Sequence, residues 1–118
     1  MQSYKELTVW QKSCELVVAI YRLTTKLPTT EQFGLKSQMQ RAAVSIPSNI
    51  AEGFNRRTVA DNRNFIRIAF ASGAELETQL YLIIKLDLVH EEDTKPAQEL
   101  LQEVLKMLNV MGQRLTSG

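Results

Sequence analysis

Apolar residues recur at helical spacing along the whole chain. Between Thr8 and Leu27, Trp10, Cys14, Val17 and Tyr21 follow one another at steps of four, three and four, while Leu16, Ile20, Leu23 and Leu27 form a second stripe beside them. This predicts a first helix with a broad apolar face, wider than one core-facing side requires. Thr8 is its expected N-cap, and Pro28 ends it because the residue before a proline avoids the helical region. A second helix is expected to open at Thr29 or Thr30, with Glu31 in its first turn, where the helix dipole favours an acid. It runs on through Leu35, Met39, Ala42, Ile46, Ile50 and Gly53 or Phe54. Pro47 falls inside this pattern, and since the period passes through it in phase, the expected result is a kink rather than a stop. Thr58, with Asp61 three residues on, marks a third helix carried by Ile66, Ala69, Gly73, Leu76, Leu80 and Ile83 to about Val89. The tract His90 to Pro96 reads as a loop, with Thr94 as a cap and Pro96 in the first turn of a fourth helix. Ala97, Leu101, Val104, Leu108, Met111 and Leu115 then continue at four-three spacing, a narrow seam of the knobs-into-holes kind.

Four helices joined by short connections predict an all-α, antiparallel up-down-up-down four-helix bundle, its second helix kinked at Pro47. With 118 residues, residues 1–118 make one domain, large enough to bury a core without staples. The 44% hydrophobic and 23% charged fractions are those of a globular chain rather than a disordered one. The single cysteine, Cys14, permits no internal disulfide and no cysteine-based zinc site. No basic stretch followed by an apolar run opens the chain, and no apolar segment is long enough to span a bilayer. A cytoplasmic, membrane-free protein is the expectation.

The net charge of +1 conceals a division. From Phe33 to Ile68 the bases Lys36, Arg41, Arg56, Arg57, Arg63 and Arg67 face only Glu52 and Asp61, six against two for a net of +4. From Ala69 to Glu103 two bases, Lys85 and Lys95, face eight acids, for a net of −6. A bundle built on this sequence should have a basic and an acidic end, the bases gathered around the Asn55 to Thr58 turn. Arginine's planar fork grips phosphate in two places, and a turn leading into a helix start offers backbone N–H groups as well. Lys36, Arg41, Arg56, Arg57, Arg63 and Arg67 are therefore candidate contacts to a nucleic-acid backbone. The competing reading pairs Glu52 with Arg56 at i,i+4, pairs others across the bundle or a subunit contact, and leaves the rest as a solvated face. The pI of 7.9 is below that of a usual nucleic-acid-binding domain.

The segment Ser45-Ile-Pro-Ser-Asn-Ile-Ala-Glu-Gly53 combines proline, glycine and polar side chains beside the apolar stripe. One reading is a kink with its own repair: Ser45, Ser48 and Asn49 bond carbonyls that Pro47 leaves free, and Gly53 admits a neighbouring helix. The other is a polar pocket formed by Ser48, Asn49 and Glu52. Glu75, Glu77 and Gln79 do not make a di-iron site, which requires Glu-x-x-His pairs absent from a chain with one histidine. His90, three residues after Asp87, reads as a capping residue, and Cys14 as a buried small hydrophobe. Trp10 and the tyrosines at 4, 21 and 81 are expected in core and interface rather than as base-stacking platforms. With no catalytic constellation, no metal site and no cofactor motif, the chain reads as non-enzymatic.

The proline segment, together with Leu7-Thr-Val-Trp10, Glu31-Gln-Phe-Gly-Leu35, Arg41-Ala-Ala-Val44 and Glu75-Leu-Glu-Thr-Gln-Leu80, resembles the bacterial four helix bundle protein family, also called the 23S rRNA-intervening sequence protein family. The resemblance covers nearly the whole chain. It departs at Ala71-Ser-Gly-Ala74, where Gly73 stands in place of a more usual leucine. It implies a homopentamer shaped like a short barrel, and a similarity to the accessory protein of diversity-generating retroelements, which partners a reverse transcriptase and binds nucleic acid through basic surface. The two apolar stripes of the first helix fit such an assembly. The partners expected are thus other copies of the chain and RNA or DNA, the alternative being a scaffold whose charged faces contact a protein.

Overall fold

The computed structural model describes residues 3–117, with side chains as far as residue 115. Four α-helices make up the fold: α1 (Thr8–Thr24), α2 (Leu35–Phe54), α3 (Val59–Lys85) and α4 (Glu91–Ser117). Short 3-10 turns at Tyr4–Glu6 and Thr29–Glu31 precede α1 and α2. Each helix packs on two neighbours, in the cyclic order α1, α2, α3, α4 and back to α1. The pairings descend one helix as they climb the next. Ser45 meets Ser72 while Gly53 lies against Asn62 and Phe65; Gly73 lies against Leu105 and Glu77 meets Gln102; Lys12 meets Glu103 and Lys26 meets Asp93. Adjacent helices therefore run antiparallel, in a rod 44 × 21 × 20 Å.

One stripe from each helix fills the core: Leu16, Ile20 and Leu23 from α1, Met39, Ile46 and Ile50 from α2, Leu76, Leu80 and Ile83 from α3, and Leu101, Val104 and Leu108 from α4. Buried hydroxyls bond back to the preceding turn of their own helix, Ser13 Oγ to the Trp10 carbonyl at 2.8 Å and Thr94 Oγ1 to the Glu91 carbonyl at 2.6 Å. Gln79 is buried too, and its Oε1 has no hydrogen-bond partner among the described residues.

Several boundaries differ from expectation. Leu7, without a side-chain bond, is the N-cap of α1, and Thr8 is already helical. The helix ends at Thr24, yet Leu27 stays buried because the following turn keeps folding inward. Helix α2 opens at Leu35 rather than at Thr29 or Thr30. Glu31 still serves its start, accepting the Leu35 N–H at 3.2 Å. Thr58 caps α3 as expected, accepting the Asp61 N–H. Helix α3 stops at Lys85, four residues early, where the Leu88 N–H bonds the Ile83 carbonyl around Asp87 in the left-handed region, φ 56°. The acidic tract is not a loop. Its carboxylates begin α4 itself, where Glu91, Glu92 and Asp93 complement the dipole. Thr94 is accordingly a buried helical residue rather than a cap, and Pro96 lies inside α4. His90 does not cap α3; its carbonyl accepts the Asp93 N–H at the head of α4.

Pro47 is buried within a continuous α2. Asn49 Nδ2 donates to the Ser45 carbonyl and to Ser45 Oγ, which in turn bonds Ser72 Oγ on α3. The expected repair is not what these bonds make: they fall on Ser45 and on α3, and none reaches the Ala43 carbonyl that the proline frees. Ser48 and Glu52 are exposed on the outer face, so no polar pocket forms with Asn49. Beside Gly73, Leu105 of α4 fills the space, with Cδ2 2.6 Å from where a Cβ would stand.

Two glycines in helices should respond oppositely to alanine. At Gly53 a Cβ would meet Phe65 Cβ at 3.0 Å and the Asn62 carbonyl at 3.2 Å, atoms that cannot step aside. Gly53→Ala is expected to cost about 1–2 kcal/mol despite alanine's better helix propensity. A Cβ at Gly112 meets nothing within 4 Å, and Gly112→Ala should stabilise by about 0.5–1 kcal/mol. Asp87→Gly relieves a left-handed backbone and should stabilise by up to about 1 kcal/mol. Urea unfolding midpoints check all three.

Candidate nucleic-acid interface

Antiparallel packing decides which bases share a surface. Helix α2 rises about 1.5 Å per residue, so Lys36 in its first turn and Arg56 beyond its end lie about 30 Å apart, and Arg41 about 22 Å from Arg56. Lys36 thus belongs to the opposite end, where its ammonium bonds Gln32 Oε1 at 3.3 Å. Arg41 stands about a third of the way along α2, on its exposed face and nearer the Lys36 end. The α2–α3 turn brings the other four together. Arg56 and Arg57 are in the turn, Arg63 follows one turn into α3, and Arg67 follows one turn later.

These four are not equivalent. Arg56 bonds Glu52 at 3.2 Å and lies 4.7 Å from the centre of the Phe65 ring, so its guanidinium is engaged as the i,i+4 reading expected. Arg57 and Arg67 are exposed and Arg63 is half-buried, and none of them has an ion pair among the described residues. The fold adds two bases that the sequence window from Phe33 to Ile68 omitted. Lys5 precedes α1, and Arg114 lies in the last turn of α4, so both belong to the same end of the rod. Only the antiparallel topology, and no run of sequence, could have placed them there. Nearby acids are Glu6, Glu52 and Asp61, the last in the first turn of α3. At the other end Asp87, Glu91, Glu92 and Asp93 gather, and Lys26 pairs with Asp93 at 3.1 Å. The α2–α3 end is basic as expected, but the acidic end is not formed: Glu31, Asp87, Glu91, Glu92 and Asp93 share it with Arg22, Lys26, Lys36, Lys85 and Lys95, and Glu75, Glu77, Glu99 and Glu103 lie along α3 and α4 instead.

The apolar stripes of α1 part company. Leu16, Ile20 and Leu23 go inward, whereas Trp10, Cys14, Val17 and Tyr21 lie along the outer edge of the α1–α2 pair. Trp10 is half-buried against the edge of Tyr4, with ring centroids 5.4 Å apart. Cys14 is half-buried rather than buried, and partial desolvation pushes its thiol above the ordinary range, which favours the inert protonated form. Tyr21 is 45% exposed, flanked by Val18 and by Val44 of α2, both comparably exposed. Tyr81 is 59% exposed beside Lys85. Trp10 is thus half-buried against the margin of the core, as expected, whereas Tyr21 and Tyr81 are surface residues of the chain.

Among the described residues no helix is long and apolar enough to cross a membrane. No group of three or more His, Cys, Asp or Glu side chains there could hold a metal ion.

A solved structure of a protein with unknown function from the S23 ribosomal protein family of Bacteroides thetaiotaomicron superposes with a TM-score of 0.82 at 28% identity, covering 89% of this chain and 98% of its own. No curated protein matches the chain. The family model of the 23S rRNA-intervening sequence protein matches residues 5–110, from the turn before α1 to the last third of α4, and so spans all four helices. On that match, the chain belongs to the 23S rRNA-intervening sequence protein family.

Proposed function

We propose that this chain is a non-enzymatic, cytoplasmic, ring-forming helical protein that binds the phosphate backbone of RNA or DNA through the arginines at its α2–α3 end. The observation that carries the reading is that Arg57, Arg63 and Arg67 converge on one end without ion pairs among the described residues. Guanidinium groups left to solvent in that arrangement are free to take phosphate oxygens two at a time. Arg56, held over Phe65 by Glu52, shapes the patch more than it adds to it. Arg41 is a separate contact on the flank, and Lys36 has no part in the surface. The family's name, which refers to ribosomal RNA, and the ribosomal name of the structural relative both accord with an RNA-linked role.

Self-association rests on the outer stripe of α1. Val17, Val18 and Tyr21, continued by Val44, form a flank that water covers poorly, and a second copy would remove it from solvent. Five copies is the number the family resemblance implies. A ring would repeat each arginine patch around its rim, and linked sites bind an extended polyanion far better than one patch can.

Filter binding of a structured RNA over a salt series tests the reading. The affinity should fall log-linearly with salt. Replacing Arg57, Arg63 and Arg67 together by Gln should flatten the slope by about 2–3 in each binding unit, and Lys36→Gln should leave it unchanged. No binding at low salt would remove the proposal and leave a scaffold for a protein partner.

A further inference from the structure

The arginine end also holds a groove between α3 and α4 that backbone binding does not need. It has a volume of about 550 Å³, within the size range of small-ligand sites. Ile66, Phe70, Ala71 and Leu108 make its walls, Gly112 leaves it open, and Asn109 and Arg67 bring polar groups to it. Phe70 is 39% exposed, a large apolar ring left half in water. Among the described residues, no acidic side chain lines the groove. On α3, Arg63, Arg67 and Phe70 follow at steps of four and three, so two guanidiniums and the ring lie along one stripe.

We infer that this groove takes an unpaired base of a single-stranded or looped RNA, an inference that rests on the backbone reading above and adds the form of nucleic acid to it. The chemistry of the lining favours that occupant. A base presents a flat π-face that stacks on an aromatic ring whatever its sequence, and an edge of donors and acceptors that an amide such as Asn109 can meet. The phosphates on either side carry the negative charge that Arg67 and Arg63 complement. A duplex offers no free π-face and no open Watson–Crick edge, because its bases are already stacked and paired. A greasy peptide would fill the walls but leave both guanidiniums uncompensated. The expectation that Trp10 and the tyrosines are not stacking platforms is unaffected, since the ring assigned here is Phe70.

Titration of the full chain with a short single-stranded RNA, with the same RNA carrying abasic positions, and with a matched duplex tests the assignment. The wild type should prefer the intact single strand. Phe70→Leu, which keeps an apolar filling but removes the ring, and Gly112→Leu, whose side chain grows into open space in the groove, should each weaken single-strand binding. The loss should be on the order of 5- to 100-fold, with an unchanged salt slope. Neither should alter binding of the abasic RNA. Circular dichroism and the thermal midpoint verify the fold of each variant. Wild-type affinity in both variants, alongside a loss in the Arg57/Arg63/Arg67 triple variant, would overturn the base site and leave the backbone reading intact. No binding of any RNA at low salt would overturn both. A change in solution mass without a change in RNA affinity would also overturn the base site, marking the groove as a contact between copies.

Discussion

Each helix of the bundle can turn only one stripe inward, and α1 carries two. Packing against α2 and α4 takes Leu16, Ile20 and Leu23 into the core, where they join Met39, Ile46 and Leu101 in one buried cluster. Trp10, Cys14, Val17 and Tyr21 are then committed to the outer edge, a quarter to half a turn around the same helix. Apolar surface has to be covered or carried at a cost of about 25 cal/mol per Å². The surplus of α1 is therefore the feature from which the proposed assembly follows, and the distribution of charge acquires its meaning from that assembly.

Topology gathers bases of a nearly neutral chain at one end of the rod. The net charge is +1, yet the α2–α3 turn, the segment before α1 and the last turn of α4 meet at one end, and the start of α4 and the end of α3 at the other. Lys5, Arg56, Arg57, Arg63, Arg67 and Arg114 thus outnumber Glu6, Glu52 and Asp61 at the first of these ends, which is why a modest pI does not argue against a local anion-binding surface. Gly53 matters to this geometry. It lets α2 approach Asn62 and Phe65 closely, and so fixes the turn that presents Arg57 and aligns the stripe of Arg63 and Arg67.

Much of this is legible in the residues alone. Four helices, the core stripes, the cap at Thr58, the Glu52 to Arg56 pair and the surplus face of α1 all follow from residue spacing, because a 3.6-residue period and short-range capping are local properties. The failures have a common physical source as well. Pro96 and the acidic tract resemble a loop because composition is read without the dipole that makes Glu91, Glu92 and Asp93 favourable at a helix start. Asp87 could not be foreseen as the left-handed residue that stops α3, since glycine usually fills that role. Lys36 groups with the arginines because it is near them in sequence, although α2 carries it to the far end. Lys5, Arg114 and the Phe70 groove depend on which helix ends meet, and no single segment encodes that.

The mass of the protein in solution, measured by light scattering, tests the central claim most directly. One chain is 13.4 kDa. The account predicts a multiple of that mass for the wild type, five-fold if the ring closes as the resemblance implies, and a fall toward a single chain when Val18 and Tyr21 are replaced together by Asp. A wild type that is monomeric at every concentration would contradict it, since the outer stripe of α1 would then be stable in water with nothing covering it.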